Sequence, residues 1–113
     1  MTGKMKGPGL CLGLLLAAGP GAADSDAALR CAAFWQASAD IRRGSPGYGI
    51  SPATSEALAD DFRARITTPD DAAFAREREG FRLLHRGVFR GDRQSRDLAE
   101  RIAARCDGLL RAE

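Results

Sequence analysis

Apolar residues recur along the chain with the three-to-four residue spacing of an amphipathic helix. The pattern predicts four helices, at about 26–43, 52–67, 69–90 and from 93 to near the end of the chain. No segment alternates strictly between apolar and polar residues as a half-buried strand does, so the chain is predicted to be all-α. On the first helix, Gln36 and Asp40 lie mainly opposite the apolar face. That face consists of Ala27, Ala28, Cys31, Phe34, Trp35, Ser38 and Ile41.

Residues that favour helix ends flank the four predicted helices. Ser25, Ser51, Thr68 and Asp92 are expected to be N-caps, and two of them precede a proline that suits the first helical position. Gly91 is expected to cap the third helix at its carboxyl end. The glycine-rich and proline-containing stretch 44–49 is expected to separate the first two helices.

Residues 1–23 are predicted to form a secretory signal peptide that is removed. Lys4 and Lys6 give a positive start, and a nine-residue apolar run, 10–18, follows. Gly19-Pro20 is expected to break the run, and small residues precede a cut before Asp24. The run is shorter than the roughly 18 to 20 residues that a membrane-spanning helix needs, so we expect no membrane span after cleavage. The remaining chain, 24–113, is then one helical domain, located in the periplasm or secreted.

Removal of this segment also removes the excess positive charge. Both lysines lie within it, and the rest of the chain carries 15 arginines against 15 acidic residues. The mature net charge of zero gives no support to nucleic-acid binding.

Two cysteines remain after cleavage, Cys31 and Cys106, and an even pair in an exported protein predicts a disulfide. Each lies near one end of the mature chain and on an apolar helix face. Short connections favour antiparallel neighbours. The predicted fold is therefore a small up-down bundle of about four helices, with the first and last joined by a disulfide that closes a loop of about 75 residues.

The residues needed for common chemistries are missing from the mature chain. His85 is the only histidine, and both methionines precede the predicted cut. There is no second histidine for a zinc site, no haem attachment motif and no strand–turn–helix elbow for a nucleophilic serine. We expect no catalytic residues, no metal, no cofactor and no enzymatic activity.

Two polar residues on the third helix are predicted to face inward. Glu77 falls within the apolar stripe of that helix, and His85 flanks the stripe. A buried carboxylate needs a partner or a shifted pKa. We expect an ion pair with an arginine of a neighbouring helix, or a position near the open end of the bundle; a functional acid near His85 is the alternative.

The outer side of the third helix carries a candidate partner surface. Leu83 points away from the apolar stripe, beside Gly80 and Gly87, which leave a shallow track for another helix or a partner chain. A second contact within the same bundle would explain the track equally well.

A row of arginines at a spacing of four runs along the same helix: Arg82, Arg86 and Arg90. The row resembles an anion-binding strip. Glu79 lies on the same side and can pair with Arg82, which favours a solvated helix face instead.

These features predict a non-enzymatic accessory or adaptor subunit that binds another envelope or periplasmic protein. Two alternatives remain at this point: an acid- or stress-responsive periplasmic chaperone, and an inhibitor of an envelope enzyme. Architecture alone does not decide between them.

Overall fold

A computed structural model describes residues 8–45 and 50–112, with side chains from residue 24 onward. Within these ranges the chain is helical and contains no strand, as predicted. The four helices are α1 (Pro8–Arg43), α2 (Pro52–Arg63), α3 (Asp71–Phe89) and α4 (Arg93–Arg111).

The helices alternate in direction. α2 runs antiparallel to α1, because Ser38 near the end of α1 hydrogen-bonds to Ser55 near the start of α2 at 3.2 Å. α3 runs parallel to α1, since Arg30 lies beside Glu77 and Phe34 lies beside His85. α4 turns back along α3, and α1 packs against all three other helices.

The predicted disulfide is present between the first and last helices. The sulfur atoms of Cys31 and Cys106 lie 2.08 Å apart, and their Cα atoms 5.8 Å apart. Both cysteines are buried, in a core cluster with Ala32 and Phe62. The link therefore joins α4 to α1 within the apolar core.

Three of the predicted caps are confirmed. The side chains of Ser51 and Asp92 accept hydrogen bonds from backbone amides inside α2 and α4. Gly91 has a φ of +83° after α3, a conformation that glycine adopts without a steric penalty. Its amide donates to the carbonyl of Val88, and that of Asp92 donates to the carbonyl of Gly87, which completes a Schellman motif.

Two predicted boundaries are wrong. α2 ends at Arg63 rather than near Thr67, and the chain turns directly after the helix. α3 is capped by Asp70, whose carboxylate accepts from the amide of Ala73 at 3.0 Å, and not by Thr68. In the connection that follows α2, the hydroxyl of Ser25 accepts from the amides of Thr67 and Thr68, at 3.1 Å each.

Ser25 is consequently not an N-cap in the intact chain. α1 begins at Pro8 and continues through Gly19-Pro20, where a break was predicted; a proline removes one backbone hydrogen bond and does not by itself end a helix here. The signal peptide predicted for 1–23 includes residues 1–7, which lie outside the described residues. Residues 46–49 of the predicted break between α1 and α2 also lie outside them.

From Ala28 to Ala39, α1 is buried on almost all sides rather than on one face, and Arg30 is the exposed residue of this stretch. Gln36 is buried, and the Asp40 side chain is only 8% exposed, although the sequence places both opposite the apolar face. The small side chains of this segment allow α2 and α3 to pack closely against α1. The buried alanines of this segment are Ala28, Ala32, Ala33, Ala37 and Ala39.

Gly87 offers a direct test of the α3–α4 packing. A Cβ atom at this position would lie 2.9 Å from the Cβ of Ser95 and closer still to its hydroxyl. Rotation of the serine cannot relieve the clash with its Cβ, so we expect Gly87→Ala to lower the free energy of unfolding by about 1–3 kcal/mol. Urea denaturation followed by circular dichroism measures the change.

Gly80→Ala is the matched control, because a Cβ there meets nothing within 4 Å. Alanine is the better helix former, so this variant should gain about 0.5–1 kcal/mol. Equal effects of the two substitutions would contradict the packing of α4 against Gly87.

Candidate functional site

Only part of the candidate partner surface is open to solvent in the structure. Leu83 is 61% exposed, and Gly80 is also exposed. Gly87 is not part of an open track, because Ser95 of α4 packs directly over it. Gly87 is therefore a packing contact within the bundle, which is the alternative explanation given for the track.

What remains of the track is a groove between α3 and α4. It has a volume of about 290 Å³, and Gly80, Leu84, Leu98 and Ile102 contribute to its walls. Leu83 stands on α3 three residues from Gly80 and next to Leu84. Leu98 is 39% exposed, so apolar side chains of both helices reach solvent in this region.

The arginine row does not form a uniform strip. Arg82 turns towards α1, where its Nε lies 3.4 Å from Oδ2 of Asp40, and it also pairs with Glu79 at 3.2 Å. Arg86 and Arg90 are exposed and border a cleft of about 370 Å³ at the carboxyl end of α1. Only these last two arginines are directed to solvent.

Glu77 lies at the edge of the interior rather than inside it, and it forms the expected ion pair with an arginine of a neighbouring helix. Its side chain is 40% exposed, and its carboxylate lies 3.7 Å from Nε of Arg30 on α1. Glu77 therefore lies at the edge of the apolar stripe of α3, where its carboxylate is partly exposed.

His85 does lie in the interior, where it is 6% exposed. Its Nε2 donates to the carbonyl oxygen of Phe34 at 3.1 Å, and the Phe34 and His85 ring centroids are 4.7 Å apart. Burial lowers the pKa of His85 to about 4, against the opposing effect of the Phe34 hydrogen bond, and the charge of Arg42 lowers it further. The imidazole is neutral at pH 7 and fixed between two helices.

A partly buried polar network centred on Asp40 was not predicted from the sequence. Arg78 of α3 donates to both carboxylate oxygens of Asp40, at 2.7 and 2.8 Å. Gln36 donates to the same carboxylate at 3.4 Å and accepts from Arg63 of α2 at 3.0 Å. The network thereby connects α1 to both α2 and α3.

The electrostatics of this network follow from its geometry. Burial raises the pKa of Asp40, but the hydrogen bonds and the charge of Arg78 outweigh it, so the pKa lies below the usual value. The same contact raises the pKa of Arg78. Both partners are therefore charged over the whole physiological pH range.

Within the described part of the chain, no cluster of three or more histidine, cysteine or acidic side chains is arranged to hold a metal ion. No helix there combines the length and apolar character of a membrane span. No protein-family model, curated protein or solved structure matches this chain.

The buried histidine predicts a specific loss of stability in mild acid. The pKa of His85 is about 4 in the folded protein and about 6.5 when unfolded. Below pH 6.5 the unfolded chain takes up a proton that the folded protein excludes, so stability falls as the pH drops from 6.5 towards 4. Between pH 7.5 and 5 we expect a loss of about 2 kcal/mol, measured by urea denaturation.

His85→Gln provides the control, since glutamine keeps an amide donor for Phe34 and does not titrate. This variant should show a nearly flat stability profile between pH 7.5 and 5. A wild-type profile equally flat over that range would contradict the burial of a neutral imidazole.

Proposed function

We propose that this protein is exported and acts as a non-enzymatic accessory or adaptor subunit that binds another envelope protein. In this proposal residues 1–23 are the cleaved signal peptide, and residues 24–113 are the helical domain that works in the periplasm or outside the cell. The apolar groove between α3 and α4 carries the proposal, because Leu98 in its wall is 39% exposed and Leu83 on α3 is 61% exposed, so apolar side chains of both helices face solvent.

The surroundings of Leu83 suit a helical partner. The groove between α3 and α4 includes Gly80, three residues before Leu83; it lacks a side chain there and has apolar walls at Leu84 and Leu98. An amphipathic helix can lay its apolar face into such a groove and bury Leu83 at the edge of the contact. Arg86 on α3 and Arg90 directly after it, which are both exposed, would then favour acidic residues on the polar side of the partner.

The disulfide supports export. Disulfides form and persist in oxidising compartments and are rare in the reducing cytosol. The buried pair Cys31–Cys106 joins residues that are 75 positions apart in the sequence. A covalent link that closes so long a loop strongly restricts the unfolded chain. The basic residues and the apolar run within residues 1–23 also support export.

An acid-responsive chaperone is the second candidate, and His85 favours it. Its protonation in mild acid would weaken the contact between α1 and α3 and expose the aromatic residues Phe34 and Phe81 that pack beside it. Acid-induced suppression of client aggregation that is lost in His85→Gln would support this candidate over the adaptor.

We expect Leu83→Glu to abolish partner binding without unfolding the protein, since the side chain already lies in solvent. A photo-crosslinking residue at position 83, tested in the native envelope, should capture one discrete protein. Co-purification of that protein should fall at least tenfold in Leu83→Glu, because the contact would have to bury a carboxylate that has no partner.

Ile50→Glu is the matched control, because Ile50 is 40% exposed and lies outside the α3–α4 groove. It should leave the captured protein bound. An absence of any crosslink at position 83, or equal losses in both variants, would refute the proposed interface.

A further inference from the structure

A second concave site lies away from Leu83, where α1, α3 and α4 meet. It is a partly open cavity of about 150 Å³, and the disulfide forms part of its wall. The rest of its apolar lining comes from all three helices. The apolar lining residues are Ala27, Cys31, Phe81, Ile102, Cys106 and Leu109.

Two arginines complete the lining, Arg30 of α1 and Arg105 of α4. Arg30 already has a partner, Glu77, at 3.7 Å. Arg105 is exposed and has no ion pair with any carboxylate among the described residues. The mouth of the cavity thus holds one unbalanced positive charge above an apolar floor.

We propose that this cavity binds a small monocarboxylate with one aromatic ring. A cavity of 150 Å³ lined by leucine, isoleucine and phenylalanine side chains accommodates a benzene-sized group. Phe81 offers that ring an aromatic wall. A guanidinium binds a carboxylate with two parallel hydrogen bonds, and the single excess charge at the mouth matches a monoanion.

This inference does not depend on the adaptor role. The cavity and the groove share Phe81 and Ile102 in their walls, but the disulfide and Arg105 line the cavity alone. A ligand here would contact the three helices that the disulfide holds together.

Titration of the purified, disulfide-bonded protein with 3-phenylpropionate tests the proposal. Amide NMR signals of Ala27, Cys31 and Cys106 should shift together and saturate. The uncharged alcohol 3-phenylpropanol should bind about tenfold more weakly, because it lacks the carboxylate that pairs with the guanidinium. Equal affinities, or shifts located elsewhere, would overturn the proposal.

Two variants locate the site. Arg105→Gln should remove the preference for the acid over the alcohol, whereas Arg101→Gln, an exposed arginine of the same helix outside the cavity, should keep it. Ala27→Leu should fill the cavity and abolish binding of both compounds. Retention of the acid preference in Arg105→Gln would refute the charge argument, even if Ala27→Leu failed to fold.

Discussion

One carboxylate that the fold keeps from water constrains the rest of this structure. Asp40 lies on a helix that is enclosed by its neighbours, and its side chain is only 8% exposed. A charge in such a place is tolerated only when it is paired and hydrogen-bonded, and Arg78 supplies both from α3. The pairing fixes the height of α3 against α1, and Gln36 extends the constraint to Arg63 of α2. His85 and Phe34 then meet within the interior that this arrangement closes.

α4 is held in a different way. It packs on α3 through a close contact at Gly87 and reaches α1 mainly at the disulfide. Neither contact covers the whole helix, so a groove and a cavity remain next to each other along α4, with Ile102 in the walls of both. The groove contains Leu98 and the cavity contains Arg105, so the two proposed binding sites follow from the same incomplete packing.

The sequence predicted the features that depend on local chemistry. Ser51 and Asp92 cap helices because a side-chain oxygen satisfies nearby amides, and Gly91 ends a helix because of its free φ; all three act within a few residues. Ser25 was misassigned because its hydroxyl serves amides more than 40 residues away.

The burial of Asp40 was missed for a related reason. A helical wheel finds the most apolar face, and this helix is buried on its polar face as well. Alanines spread around α1 were the available signal, since a helix of small residues on all sides is suited to a central position.

The most direct test is Asp40→Asn, compared with Asp60→Asn at a pair whose carboxylate is 71% exposed, by urea denaturation at pH 7. We expect a loss of about 2–3 kcal/mol at Asp40 and less than about 0.5 kcal/mol at Asp60. Equally small losses at both positions would contradict the enclosed central helix.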